Sequence, residues 1–359
     1  MPPSTRIPPL LQPYVHLPRN DSLLLLTSTL GATANWLLIR VLCDALNNPE
    51  DGGDGHNVVL VSWMREYEFW RQEARKGAAL DLERLKKEGR FAFVDGLSEL
   101  CLDASTNAPA TTSKSAPQIT ATSTVGGSPT QKAPQILPVR GPPGRIVPAR
   151  GLPQGAAPAS PALTSTSVQT SSTTRSSLGH HTMKSLDIAH LQTTITTAIS
   201  SLTFSKSTQR KTLLILDNPD LLLALNPTIS PSAMTSLILT LHTLPSVSHI
   251  LTHMQSDNPF LSPSTRPQPL ETSHHNLLVK LAHMSSRVLG VRVLDTGVAR
   301  DVSGVVRVTE QRVGWMDLGL HEEGKNGDRA EEGKGREFLY QVKGDGSVRV
   351  FERGAGGEG

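Results

Sequence analysis

The sequence has few cysteines, few aromatic residues and no long apolar run. Its 359 residues include two cysteines, Cys43 and Cys101, which exclude a disulfide framework and a paired-cysteine metal motif. No apolar run reaches the length of about 18 residues that a membrane helix needs. The proline-rich segment 1–20 lacks a basic stretch followed by an apolar run, which argues against a secretory signal. These absences predict a protein of a reducing compartment.

Histidine is more plentiful, with 12 residues, but it forms no recognisable ligand set. The pairs His180-His181 and His274-His275 lie in polar sequence without cysteine partners. Structural zinc sites use four Cys or His ligands at characteristic spacings. We therefore predict no metal site.

Composition divides the chain into regions. Segment 103–182 contains no Phe, Trp or Tyr and is rich in Ser, Thr, Pro and Ala, so it is predicted to be a disordered insertion. It has six basic residues and one acidic residue, a charge of +5, so the rest of the chain carries +3 minus +5, or −2. A nearly neutral folded part does not favour RNA binding by this chain alone. The predicted domains are an N-terminal half (1–102), the insertion (103–182), a C-terminal half (183–353) and a tail (354–359).

Short apolar runs alternate with amphipathic segments. The runs are typical of strands buried on both faces and lie at Ser22–Thr27, Val58–Trp63, Phe91–Val94, Thr212–Asp217, Val247–His253 and Arg287–Leu294. Helices are predicted at Trp36–Leu46, Glu68–Glu88, Leu186–Leu202, Ser232–Thr243 and Asn276–Ser285. Antiparallel strands are predicted at Val302–Glu310, Gln311–Leu318, Arg336–Val342 and Val348–Phe351, with a hairpin turn at Gly344–Gly346. This order predicts an α/β fold with a mostly parallel sheet, flanking helices and C-terminal antiparallel strands.

The loop after the first strand is where such a sheet would bind phosphates. A phosphate-binding loop has the pattern GxxxxGK[ST], whose lysine neutralises the phosphates. The loop Ser28–Trp36 has one glycine, Gly31, and no lysine, and Trp36 occupies a position that favours a small residue. We predict no catalytic residue and no bound cofactor.

Acidic residues end two of the strands. Asp217 has the position of a magnesium-orienting acid, but with Asn218 before Pro219 it is predicted to cap a turn, with a vestigial metal position as the alternative. Asp95 is likewise predicted to form a strand-terminal turn. His249 and His253 share one strand face, which favours packing over ligation.

The segment Met64–Arg75 mixes aromatic residues with arginines. A nucleic-acid surface and a solvated helix face explain it equally well.

Three segments together resemble the Elongator complex protein 6 family, as found in fungi. They are LLLLTSTLGATANWLLIRVL, then VVLVSWMREYEFWRQEARKGAALDLERLKKEGRFAFVDGLSEL, then TLLILDNPDLLLAL. The match covers Leu10–Leu102 and Met183–Phe351. The insertion and the charged segment His321–Gly335 depart from the family pattern.

The resemblance implies a RecA-like fold without usable nucleotide motifs. It implies a heterohexameric ring with two paralogous subunits, Elongator proteins four and five, which docks on the catalytic part of Elongator and contacts tRNA. The complete complex modifies uridine at the wobble position of tRNA. The implied location is the cytoplasm, with the nucleus as a second compartment.

Three functions fit these observations. The first is a non-catalytic assembly subunit, which could still offer an arginine to ATP on a neighbour. The second is a divergent P-loop-like ATPase whose phosphates are met by Arg65 or by a neighbour's arginine. The third is a degenerate Rossmann enzyme, which would need more glycines in the first turn than Gly31.

Overall fold

The computed structural model describes residues 7–47, 55–102, 179–203, 210–264, 266–297, 299, 301–310 and 335–353. Most of the predicted insertion, the predicted strand Gln311–Leu318 and the predicted tail lie outside these residues. None of the helices in the described ranges combines the length and the apolar character that crossing a bilayer requires.

One sheet of ten strands organises the described chain. The strands are β1 (Ser22–Ser28), β2 (Asn57–Ser62), β3 (Phe91–Asp95), β4 (His180–Thr182), β5 (Thr212–Asp217), β6 (Val247–Gln255), β7 (Arg287–Arg292), β8 (Gly304–Glu310), β9 (Arg336–Val342) and β10 (Val348–Glu352). Their order is β10-β9-β8-β7-β1-β6-β5-β2-β3-β4. The pairs from β7 to β4 are parallel, and the pairs among β7, β8, β9 and β10 are antiparallel.

The helices lie between the strands along the chain. They are α1 (Gln12–Val15), α2 (Asn35–Asn47), α3 (Tyr67–Ala78), α4 (Leu82–Lys87), α5 (Ser98–Leu102), α6 (Ile188–Thr203), α7 (Leu221–Leu225), α8 (Pro231–His242), α9 (Asn258–Leu261) and α10 (Pro269–Met284). With β1 inside a parallel core and the antiparallel strands at one end, the architecture is the RecA-like α/β fold that was predicted.

The core lies on both faces of the sheet, and the strands divide their side chains between them. In β1, Leu24 and Leu26 pack on the side of α2 and α3, while Leu23 and Leu25 pack on the side of α6, α8 and α10. This alternation follows from the two-residue period of a strand. Because both faces are covered, the strands read as continuous apolar runs.

The predicted helix Glu68–Glu88 is wrong as a single element. The chain forms two helices, because Ala79 adopts a left-handed conformation with φ 51°. Leu80 is then buried, and the carboxylate of Asp81 accepts hydrogen bonds from the backbone of Glu83 and Arg84 at 3.1 and 3.2 Å. Burial of Leu80 and the Asp81 cap together outweigh the helix propensity of the alanines.

Among the other predicted elements most bounds differ by one or two residues, and two differ by more. The segment His180–Thr182, assigned to the insertion, forms β4 and pairs with β3, so the sheet resumes before residue 183. Helix α10 begins seven residues before the predicted Asn276, at Pro269. A proline at the first helical position and the hydrogen bond from the Gln268 backbone to the Glu271 carboxylate (3.2 Å) define that start.

Candidate functional site

The loop after β1 lies at the carboxyl edge of the sheet, where this type of fold binds ligands. It is a closed turn: Thr29 bridges Ala32, and the Ala32 amide donates to the Thr29 carbonyl at 2.9 Å. The Leu30 amide donates to the Asp257 carboxylate at 2.7 Å, and the Thr29 amide donates to the Val291 carbonyl at 3.2 Å. These backbone amides are satisfied by the protein itself and do not form a phosphate cradle.

Trp36 follows the loop and is part of the core. Its ring lies 4.9 Å, centroid to centroid, from the ring of Tyr340 in β9. The bulky residue that the sequence placed near a phosphate position therefore joins α2 to the antiparallel strands. Burial raises the pKa of Tyr340 to about 12, so its hydroxyl stays neutral in this apolar setting.

A buried hydrogen-bond chain crosses the carboxyl edge. Asp217 is 0% exposed and both of its carboxylate oxygens are engaged. Oδ2 accepts from the Ser62 hydroxyl at 2.7 Å, and Oδ1 lies 2.8 Å from His253 Nδ1. His253 Nε2 lies 2.9 Å from the Ser28 hydroxyl, which also donates to Gln255 Oε1 at 3.3 Å. These hydrogen bonds join the ends of four neighbouring strands, β2, β5, β6 and β1.

The contacts of Ser28, His253 and Asp217 follow the same order as in serine hydrolases. Ser28 is only 2% exposed, however, and its hydroxyl is already shared between His253 and Gln255. The loop amides of Thr29, Leu30 and Ala32 bind other protein groups and are not available to stabilise an oxyanion. The arrangement therefore supports a structural tie between strands rather than a nucleophile.

The predicted turn-capping role of Asp217 is wrong, because its carboxylate points to Ser62 and His253 instead of to turn amides. The prediction for Asp95 is confirmed. Its Oδ1 accepts from the amides of Leu97 and Ser98, both at 2.9 Å, and its Oδ2 accepts from the Ser98 hydroxyl at 2.6 Å.

The aromatic residues of Met64–Arg75 mostly face inward. Trp70 is buried, and Tyr67 packs on Phe93 with ring centroids 5.4 Å apart. The Arg65 guanidinium lies over the ring of Phe69 at 4.4 Å. These contacts favour the structural interpretation of the segment over a stacking surface for bases. Arg65 itself precedes α3, and its backbone amide donates to the Ser62 hydroxyl at 3.1 Å.

Sequence reasoning missed Ser28, Ser62 and Gln255 as members of the buried chain. One signal was available: a polar residue ends each of the apolar strands β1, β2, β5 and β6. Within the described ranges, no three His, Cys, Asp or Glu side chains gather into a metal-binding group.

A second group of polar residues lies at the opposite, amino edge. A cavity of about 300 Å³ is lined there by residues that include Arg19, Asp44, Lys211 and His249. The Lys211 ammonium binds the Asp21 carboxylate at 2.7 Å, so the charges of this rim largely compensate each other. His249 is buried, with Nε2 3.0 Å from the Pro18 carbonyl and Nδ1 2.9 Å from the Ser248 hydroxyl.

Burial, reinforced by the nearby His56, lowers the pKa of His249 to about 4. In the unfolded chain the group takes up a proton near its ordinary pKa of about 6.5. Below that pH the unfolded state therefore binds more protons, and stability falls as the pH drops from about 6.5 to 4. The full difference corresponds to about 3 kcal/mol. We expect His249→Gln to show a flatter dependence of the urea midpoint on pH between these values.

The control is His283→Gln, which makes the same replacement at an exposed histidine on α10, outside the cavity that His249 lines. Burial also lowers the pKa values of His180 and His181. The urea midpoint is therefore expected to keep some dependence on pH in every variant. If the urea midpoints of the wild type and of His249→Gln depend on pH equally steeply, the lowered pKa of His249 is contradicted.

Comparison with known proteins does not assign the chain to a family. No protein-family model matches it, and no curated protein matches it at a significant level. Among solved structures it is similar to a KaiC-like protein from the hyperthermophilic archaeon Pyrococcus horikoshii. The two chains share 10% sequence identity over 96% of each, with a TM-score of 0.47.

Proposed function

We propose that this chain is a non-catalytic subunit of an Elongator complex. In this proposal it forms a heterohexameric RecA-like ring with two paralogous subunits, Elongator proteins four and five. The ring binds tRNA and supports modification of the wobble uridine by the catalytic part of the complex. The proposal combines the RecA-like architecture with the resemblance of Leu10–Leu102 and Met183–Phe351 to that family.

One observation carries the non-catalytic part: the carboxyl edge is occupied by the protein's own hydrogen bonds. The loop at Gly31 has no lysine, and its amides at Thr29, Leu30 and Ala32 have internal partners. The acid at the end of β5, Asp217, has both oxygens engaged by Ser62 and His253. Phosphoryl transfer needs a cationic cradle and an acid available to a metal ion, and these residues supply neither.

Binding of tRNA is assigned to the assembled ring because the chain has little excess positive charge outside its insertion. Residues outside 103–182 sum to −2, as derived from the sequence. Nucleic-acid affinity depends strongly on the number of phosphates that Lys and Arg neutralise. Basic residues from the partner subunits would therefore have to complete the contact surface.

Co-expression with the two paralogous subunits tests the proposal. The expected result on size-exclusion chromatography with light scattering is a stoichiometric particle of six subunits, and tRNA binding by that particle and not by the isolated chain. The control is the isolated chain titrated with Mg-ATP, which should show no thermal shift. A well-folded monomer that ignores both paralogues would overturn the assignment, and tight ATP binding by the monomer would favour the divergent ATPase.

A further inference from the structure

The tip of the β1 loop exposes a leucine to solvent. Leu30 is 86% exposed, the largest exposure among the large apolar side chains of the described chain. Val293, at the end of β7, is 44% exposed and adjoins the loop, since a Cβ built on Gly31 would lie 3.3 Å from its Cγ1. The fold therefore places an apolar projection at its carboxyl edge.

This tip is held in one conformation by the contacts on both sides of it. Thr29 is bound to Val291 and to Ala32, the Leu30 amide is bound to Asp257, and Gly31 takes φ 87° in the turn. Next to the tip, the buried hydrogen bonds of Ser28 hold the end of β1. A leucine on such a loop loses little conformational entropy when it enters a pocket.

The charged group beside the tip of the loop is the negative carboxylate of Asp257. Asp257 lies directly under Leu30, and no cation contacts its carboxylate among the described residues. The loop residues Ser28–Asn35 carry no charged side chain. Asp295 is paired with Arg292, whereas Asp257 has no ion-pair partner among the described residues. A complementary surface would be an apolar pocket with a basic residue on its rim.

We propose that Leu30 is a preformed docking knob, which inserts into an apolar, basic-rimmed pocket on one of the paralogous RecA-like subunits. This inference rests on the proposed function, because it names the surface through which this chain would enter the ring. The loop that binds phosphates in active relatives of this fold is used here to bind a protein. Buried leucine contacts at the centre of an interface contribute strongly to affinity when the surroundings exclude water.

The test measures the affinity of the full chain for the purified paralogous pair by biolayer interferometry. Leu30→Ser is expected to weaken binding about 10- to 100-fold, the loss that corresponds to burying one leucine. Leu30→Met should bind nearly as wild type, because it retains apolar volume. The matched control is Leu239→Ser on α8, which removes another leucine that is 43% exposed and should leave the affinity unchanged.

Two further variants separate shape from charge. Asp257→Asn keeps an oxygen acceptor for the Leu30 amide but removes the charge, so it should lower the association rate and its dependence on salt. Gly31→Ala places a side chain at φ 87° against Val293, so it should distort the tip and weaken binding while the circular dichroism spectrum stays unchanged.

The outcomes are distinguishable. If the wild-type chain joins the ring and Leu30→Ser joins it with equal affinity, the docking knob is refuted and the proposed function stands. If the wild-type chain binds neither paralogue, the proposed function and the knob fail together. If Leu30→Ser instead abolishes self-association of the isolated chain in analytical ultracentrifugation, the occupant is a second copy, and the assignment to a paralogue is wrong.

Discussion

Replacing Asp217 with alanine is expected to lower the free energy of unfolding by about 3 to 5 kcal/mol, because two buried polar partners lose their acceptor at once. The Ser62 hydroxyl and His253 Nδ1 both contact the Asp217 carboxylate, and all three residues are buried. In this interior neither group can reach water. The effect should be read from urea unfolding followed by tryptophan fluorescence and circular dichroism.

The variants Asp217→Asn and Ser62→Ala indicate where the loss arises. Asparagine keeps an oxygen acceptor of similar shape and should cost about 1 to 2 kcal/mol, comparable to one impaired hydrogen bond. Ser62→Ala removes a single donor and should have a similarly small effect. If Asp217→Ala lowers the free energy of unfolding by less than about 1 kcal/mol, the buried hydrogen-bond chain does not hold the strand ends together.

Replacing Arg40 with alanine should destabilise the C-terminal strands more than the parallel part of the sheet. Arg40 lies on α2, is 2% exposed, and donates from Nη2 to the Gly346 carbonyl at 2.8 Å. Its Nη1 lies so close to α3 that a Cβ on Gly77 would stand 2.7 Å away. Loss of this side chain opens a cavity and removes the link to the β9–β10 turn, at a cost of about 3 kcal/mol.

Hydrogen exchange gives the local measurement for this variant. Amides of β9 and β10 should exchange faster in Arg40→Ala, while those of β5 and β6 should change little. Arg40→Met is the control for volume, since it fills much of the same space without a hydrogen bond. Equal acceleration across all strands would indicate a global loss of stability and would contradict the role of Arg40 as a link.

Local sequence predicted the strands better than the helices. The bounds of β5 (Thr212–Asp217) and β9 (Arg336–Val342) agree with the prediction at both ends, because short apolar runs with polar neighbours define them. The break at Ala79 could not be predicted, since alanine favours helix and the cause is the burial of Leu80. The start of α10 was missed because the segment 271–276 is polar and Leu270 before it is exposed.

The contacts of the site were not predicted from the sequence. Lack of lysine near Gly31 is a property of the sequence itself. The buried hydrogen-bond chain depends on the order of the strands in the sheet, and local sequence patterns do not encode that order. Ser62 and Asp217 are 155 residues apart in the sequence, and Ser28 and His253 are 225 residues apart. Exposure of Leu30 depends in the same way on the contact with Asp257, across 227 residues.

The two ends of the sheet bear on the solubility of the chain. A strand at an open edge can recruit strands from other molecules and begin a fibril. On one side β4 has three residues, and on the other β10 exposes Arg349 and Glu352, with Arg353 directly after it. A short strand and a charged strand are poor templates for further pairing. Oligomers of this chain should therefore form through side-chain surfaces and remain finite, and fibrillar aggregation should require prior unfolding of the edge.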